Sequence, residues 1–280
     1  LAAPTTRRVA ALLAGVAAAS LLAAIPEAGA ATRPDAGTTE SLRRLAVQHD
    51  GRIMPLDTVA REATWLVTGR ATWNRTDPVT LVLGWAFDPE GWAAEPLIPA
   101  GTELVRAAGL PEDRERFSFL EFVNNPRVMG LLREARAGQP IGPQAPALRE
   151  AQKLESRLLL MEEFLRKTIF RVIPDSRSGS TQWAHPPHLR DTAGLMAVLA
   201  AAPAAPFAPA GKIDLELQYN RVRPSRLSWW VLLSSTGLSL LGWRQKRRFL
   251  SFSGAAGLAI GFAVMTWGLG SRWGIAGRIP

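Results

Sequence analysis

Three apolar runs interrupt an otherwise mixed chain. The first, Val9 to Ile25, follows the pair Arg7-Arg8 and leads into Ala28-Gly29-Ala30-Ala31. A basic start, an apolar middle and a small-residue end predict a secretory signal peptide over residues 1–30, cleaved after Ala30 or kept as an N-terminal anchor. The other two runs, Leu227 to Trp243 and Phe249 to Ser271, carry no charge. At ~1.5 Å per residue they cover roughly 26 and 35 Å, enough for two membrane-spanning helices. Trp229, Trp230 and Trp243 flank the first and Trp267 and Trp273 the end of the second, where indoles favour the headgroup zone. The fold class predicted is mainly α: an exported helical domain followed by a two-span transmembrane hairpin.

Between these runs the pattern is helical. Leu56, Val59, Ala60, Ala63 and Val67 keep helical spacing, with Asp57 as cap and Gly69 as stop. Asp77-Pro78 opens a short apolar helix to about Phe87. Leu97 and Ile98, between prolines, read as extended. Ser118 starts a helix, and Asn125-Pro126 restarts it. The strongest signal runs from Ala147 to Val172, where Ala151, Leu154, Leu158, Met161, Leu165 and Ile169 form one stripe. Glu162–Arg166 and Glu163–Lys167 are i,i+4 pairs along it, and Pro174 closes it. Asp175 to His188 reads as a loop, and Asp191 caps a small helix to about Ala202. Pro203 to Gly211 is a stiff linker, and Lys212 to Val222 form a last helix before the first span. Thr32 to Glu40 is expected to be flexible.

The organisation expected is residues 31–226 as an extracytoplasmic helical domain, 227–243 and 249–271 as spans, 244–248 as a cytoplasmic loop, and 272–280 as an extracytoplasmic tail. Arg244, Lys246, Arg247 and Arg248 in the short loop favour the cytoplasm, although Arg221, Arg223, Arg226, Arg272 and Arg278 crowd the other side. The net charge of +9 is spread along the chain and forms no nucleic-acid stripe. It fits contact with an anionic lipid bilayer. With no cysteine, disulfides, thiol redox chemistry and a C-x-x-C-H haem attachment are excluded.

Candidate chemistry is sparse. His185 and His188 are three apart, but Pro186-Pro187 between them prevents a helix from aiming both rings at one metal or haem. His49-Asp50 are sequence neighbours, whose side chains do not usually bond to each other, and the pair implies no nucleophile. Asp50-Gly51 reads as a tight turn with positive φ, Arg52 leaves it, and Pro55, Leu56 and Asp57 lead into the helix. The same stretch serves as a docking surface in the functional reading. Gly257-xxx-Gly261 suits close packing against another transmembrane helix. No catalytic residue, no cofactor-binding residue and no metal ligand is assigned.

Val47 to Glu62, VQHDGRIMPLDTVARE, resembles the start of the extracytoplasmic region of CcsA/ResC-like (system II) cytochrome c biogenesis proteins. ELQYNRVRP, Glu216 to Pro224, resembles the block before that family's next span, and SRWGIAGRIP, Ser271 to Pro280, a later family segment. The resemblance covers residues 47–280 in three ordered blocks. It implies a membrane component of cytochrome c maturation in the bacterial cytoplasmic membrane, supporting haem attachment to exported apocytochrome c with a CcsB/ResB-type subunit. It marks Asp50, Gly51, Arg52, Pro55, Leu56, Asp57, Glu216, Tyr219, Asn220, Arg272, Gly277 and Arg278 as family-motif or docking candidates. It also makes the partner subunit, or the remaining part of such a protein, a natural neighbour for Gly257 and Gly261. The family's haem ligands belong to a Trp-rich segment with flanking histidines that this sequence does not contain, so no haem contact is carried over. The start at Leu1 and the end at Pro280 lead to the expectation of a fragment or one piece of a split protein. The competing reading is a membrane-anchored periplasmic sensing or ligand-binding module.

Overall fold

The structure, a computed structural model, describes residues 36–138, 142, 144–174, 183–186, 189–201 and 210–276. The expected signal segment, most of the proline-rich linker, His188, Gly277 and Arg278 lie outside the described residues. Mainly helical architecture is what the described chain shows. Its elements run α1 (Ala36–Leu42), β1 (Ala46–His49), β2 (Arg52–Pro55), α2 (Leu56–Thr68), α3 (Pro78–Phe87), α4 (Pro89–Ala94), β3 (Ile98–Pro99), α5 (Thr102–Ala108), β4 (Arg116–Phe117), α6 (Phe119–Val123) and α7 (Pro126–Ala137). Then follow α8 (Ala145–Leu165), β5 (Ile173–Pro174), β6 (Trp183–Ala184), α9 (Thr192–Ala201), α10 (Ala210–Val222), α11 (Pro224–Arg244) and α12 (Arg248–Ala276).

Helix boundaries follow local capping chemistry. Asp77 accepts from the Val79 and Thr80 N–H groups, with Pro78 at the first helical position of α3. Ser118 and Glu121 form a reciprocal capping box at α6. Asn125 accepts from Arg127 and Val128 ahead of Pro126 in α7. Gly69 ends α2 at φ +67, a conformation that costs glycine little. Two expectations need correction. Residues 36–42 form α1 rather than a flexible lead, because Thr39 and Leu42, three apart, are both buried. The long helix stops at Leu165, not Val172: Lys167 takes a left-handed φ of +61, which turns the chain so that Ile169 and Phe170 become buried. Glu162 still reaches Arg166 at 2.9 Å, whereas Lys167 sits over the Phe87 ring at 5.6 Å.

The chain separates into two compact units interleaved in sequence. One comprises the described parts of Leu1–Glu40, Ala60–Arg171 and His185–Val198; the other comprises those of Ser41–Val59, Val172–Ala184 and Leu199–Pro280. In the first unit, α3 is apolar all round and buried on every side, as a central core helix must be. Trp85 and Phe164 meet edge to face at 5.6 Å, Phe164 meets Phe170 the same way at 6.3 Å, and Phe87 stacks on Phe170 at 6.1 Å. The stripe of α8 supplies Ala151, Leu154, Leu158 and Met161 to this core.

In the second unit, β1 and β2 form an antiparallel hairpin with His49 opposite Arg52. Its two-residue turn, Asp50-Gly51, has φ of +49 and +74, the twist that suits a two-residue hairpin loop. Strands β5 and β6 form a second short pair. Helices α11 and α12 pack along each other, joined by residues 245–247. Their contact is made of small residues. A side chain added at Gly254 or Gly257 would run into the hydroxyls of Ser239 or Ser235, and one at Gly261 would lie 2.8 Å from Leu232. Gly257 and Gly261 therefore do pack against a helix, and that helix is α11 of the same chain.

Candidate functional site

Two of the three family-like blocks meet in the second unit. The turn-and-helix block brings Arg52 from the end of the hairpin turn and Asp57 from the first turn of α2. The later block is α10, which turns Ile213 and Glu216 inward at helical spacing. Arg52 Nη2 donates to Glu216 Oε1 at 2.6 Å across 164 residues of sequence. Glu216 is buried, its side chain 5 % exposed, and Arg52 is 36 % exposed. One turn further along α10, Asn220 Nδ2 donates to Asp57 Oδ2 at 3.0 Å and to Thr58 Oγ1 at 2.8 Å.

Asp57 is the hub. It is 1 % exposed and takes a charge-assisted bond from Arg43 Nη1 at 2.5 Å on its other carboxylate oxygen. A second ion pair, Arg44 with Asp214, ties the same loop to the start of α10 at the surface. The backbone reinforces this: Leu56 N–H donates to Leu45 O at 2.8 Å, and Asp57 N–H to Arg43 O at 3.2 Å. Asp57 lies in the first turn of α2, where its carboxylate holds a cation on one side and an amide on the other.

The remaining candidates fall into three groups. Asp50 and Gly51 form the turn, and Pro55 and Leu56 are buried where strand becomes helix. Tyr219 is half-buried on α10, and its carbonyl accepts from the Arg223 N–H at 2.9 Å. Arg272 is exposed near the end of α12 and does not join the cluster. Arg223 takes a left-handed φ of +50 ahead of Pro224, so α10 and α11 are separated by a single-residue break. Arg43, Arg44, Thr58 and Asp214 escaped the sequence reading, since nothing local distinguishes them from ordinary surface residues. Gln48 did too: its side-chain carbonyl accepts the Trp183 N–H at 2.6 Å.

Chemically the cluster is one of holding contacts: among the described residues each of its carboxylates faces a cation or an amide. His49 Nε2 lies 3.6 Å from Asp50 Oδ2, so these sequence neighbours do approach across the tight turn. His185 is exposed beside Pro186. Among the described residues no group of three or more His, Cys, Asp or Glu could hold a metal ion. Neither a protein-family model nor a curated protein matches the chain.

Proposed function

We propose that the chain is a bacterial membrane component of cytochrome c maturation, anchored by α11 and α12 as two spans, which positions a haem-handling complex without itself carrying out catalysis. The observation that carries the membrane reading is the surface of these helices. Trp229, Trp230, Leu233, Phe249, Phe252 and Phe262 are all between 61 and 81 % exposed. Such a continuous apolar sleeve far exceeds the patch a water-soluble monomer tolerates. Helix α12 is long and apolar enough to cross a bilayer. Helix α11 falls short of the same measure because serines, a threonine and tryptophans dilute its leucines. Two of these hydroxyls bond within the helix: Ser234 donates to Trp230 O and Thr236 to Leu232 O, both at 2.8 Å. That is the form in which hydroxyl side chains are tolerated in hydrocarbon.

Support for the maturation role comes from the resemblance of the three blocks. It is strengthened by the direct bonding of Arg52 and Asp57 in one block to Glu216 and Asn220 in another. Residues that bond across 164 positions act as a unit, which is what a motif shared by both blocks requires. The role it fits is mechanical: the clamp fixes the helix that feeds the first span. Alkaline phosphatase fused after Gly211 is expected to be active and after Lys246 inactive; the reverse overturns the topology. Deleting the gene is expected to remove covalent haem from exported c-type cytochromes and spare b-type haem. Normal holocytochrome c in the deletion strain overturns the maturation role.

A further inference from the structure

The first unit contains a group of cations that the clamp and the membrane reading leave unused. Arg116, at the start of β4, lies opposite Pro99 of β3, and its Nη1 donates to Leu97 O at 2.5 Å. Arg157 reaches the same strand from α8, its Nη1 donating to Pro99 O at 2.6 Å. Arg116 also lies over the Trp73 ring at 4.9 Å, and Arg70 lies over that ring at 5.9 Å. Trp73 is held by a tight turn, Trp73-Asn74-Arg75-Thr76. In it Asn74 and Arg75 both take left-handed φ, +46 and +59, and the Thr76 N–H donates to Trp73 O at 2.7 Å. Left-handed φ is unfavourable for non-glycine residues, so the surrounding structure holds this turn in its shape.

Three guanidiniums thus converge, with Glu115 as the one carboxylate acting on Arg116. None of the three forms an ion pair among the described residues, while the acids along α8 are occupied elsewhere. Glu155 pairs with Arg136, Glu162 with Arg166, and Glu150 accepts the Leu104 N–H. Burial lowers the pKa of Arg116 and of Arg157 from the usual value; for Arg116 the charges of Arg70 and Arg157 lower it further, against the opposing pull of Glu115. The inventory is rich in donors and poor in acceptors. Each guanidinium offers five N–H groups, and the acceptors described are two carbonyls. Close by, the buried Trp73 Nε1 and Thr76 Oγ1 have no hydrogen-bond partner. Forked donors around uncompensated positive charge are the arrangement that binds an oxyanion.

We propose that Arg70, Arg116 and Arg157, framed by the Trp73–Thr76 turn, form a binding site for a phosphate monoester dianion. Three cations with one nearby acid favour a doubly charged oxyanion over a single carboxylate. The phosphate can come from a soluble metabolite or from a lipid headgroup. The test uses the full chain in detergent, titrated with inorganic phosphate by calorimetry and by thermal unfolding, with sodium chloride at matched ionic strength and acetate as controls. Saturable binding and a raised unfolding midpoint are expected with phosphate, and neither with chloride. Arg70 is exposed and donates none of the side-chain bonds described here, so Arg70→Gln is expected to fold normally, to keep or raise its phosphate-free midpoint, and to weaken phosphate about tenfold, the equivalent of one lost charge-assisted contact. Arg116→Lys, which keeps the charge and loses the fork, is expected to fall between wild type and Arg70→Gln. Phosphate binding that persists in phosphatidylcholine nanodiscs but is blocked in phosphatidate nanodiscs supports the site with a lipid headgroup as its ligand; binding that persists in both supports it with a soluble monoester. Absence of saturable phosphate heat, an equal effect of chloride, or wild-type affinity in Arg70→Gln overturns the proposal.

Discussion

Breaking the Arg52–Glu216 pair should loosen the β1–β2 hairpin from α10, and by different amounts according to which partner is removed. Glu216 is almost fully buried, whereas Arg52 keeps about a third of its surface in water. Removing one member of a fully buried ion pair costs about 3–5 kcal/mol. Pairs reaching solvent are worth far less, about 0–1 kcal/mol, so this mixed pair falls between. Arg52→Ala takes the bonded guanidinium away from a buried carboxylate, and about 2–3 kcal/mol is expected. Glu216→Ala leaves a cation that can turn to water, and about 1–2 kcal/mol is expected. Hydrogen exchange of the hairpin amides, in the detergent-solubilised chain, reads this as local opening. A loss of about 2 kcal/mol raises the exchange rate of slow hairpin amides by about 30-fold, at 1.4 kcal/mol per factor of ten. The double variant is expected to cost less than the sum of the singles by about 1 kcal/mol or more, the signature of residues in direct contact. Additive effects, or a change under twofold for either single variant, would refute the clamp.

Two further substitutions test other parts of the fold. Gly261→Leu drives a side chain into Leu232 at the α11–α12 contact and is expected to destabilise by about 1–3 kcal/mol through overpacking. Gly270→Leu, where an added Cβ meets nothing within 4 Å, is the control, and equal thermal midpoints for the two in detergent would count against the helix contact. At Glu121, burial works to raise the pKa, but bonds from the Ser118 N–H and from Arg114 outweigh it and hold the group below its ordinary value of 4.5. The stabilisation is therefore complete above about pH 4.5 and is lost as pH falls through the lowered folded value. Glu121→Gln should cost about 1 kcal/mol near neutrality, with a gap to wild type that closes on acidification; a gap constant between pH 7 and pH 3 would exclude the capping carboxylate as its cause.

Local chemistry made much of the fold legible. The sequences Asp77-Pro78, Ser118-x-x-Glu121 and Asn125-Pro126 each carry their own capping groups, so the boundary is written within four residues. The end of α8 was not legible for the opposite reason. Its apolar stripe continues through Ile169, but Phe170 is captured between Phe164 of α8 itself and Phe87 of α3, a separate element. A helical period cannot show that a later residue of the stripe is better buried by turning back. The clamp divides the same way. The turn and the helix start could be read from Asp50-Gly51 and Leu56-Asp57, but the pairing of Arg52 with Glu216 depends on how the chain returns after 164 residues.

The glycine stripe of α12 shows how far such a pattern reaches. Gly254, Gly257 and Gly261 predict a surface that another helix can approach closely, and α11 does so through Ser239, Ser235 and Leu232. A small-residue stripe specifies a close neighbour, not which one. Here the short connection at residues 245–247 decides, because closing so short a loop within one chain costs little entropy compared with recruiting a separate helix. The consequence bears on the proposed complex. With these glycines occupied inside the hairpin, a partner subunit meeting it in the membrane must pack on the large outward side chains, such as Phe252, Ile260 and Phe262. In the proposed complex, recognition would then rest on the shape of bulky apolar groups, since Gly257 and Gly261 are already covered by α11.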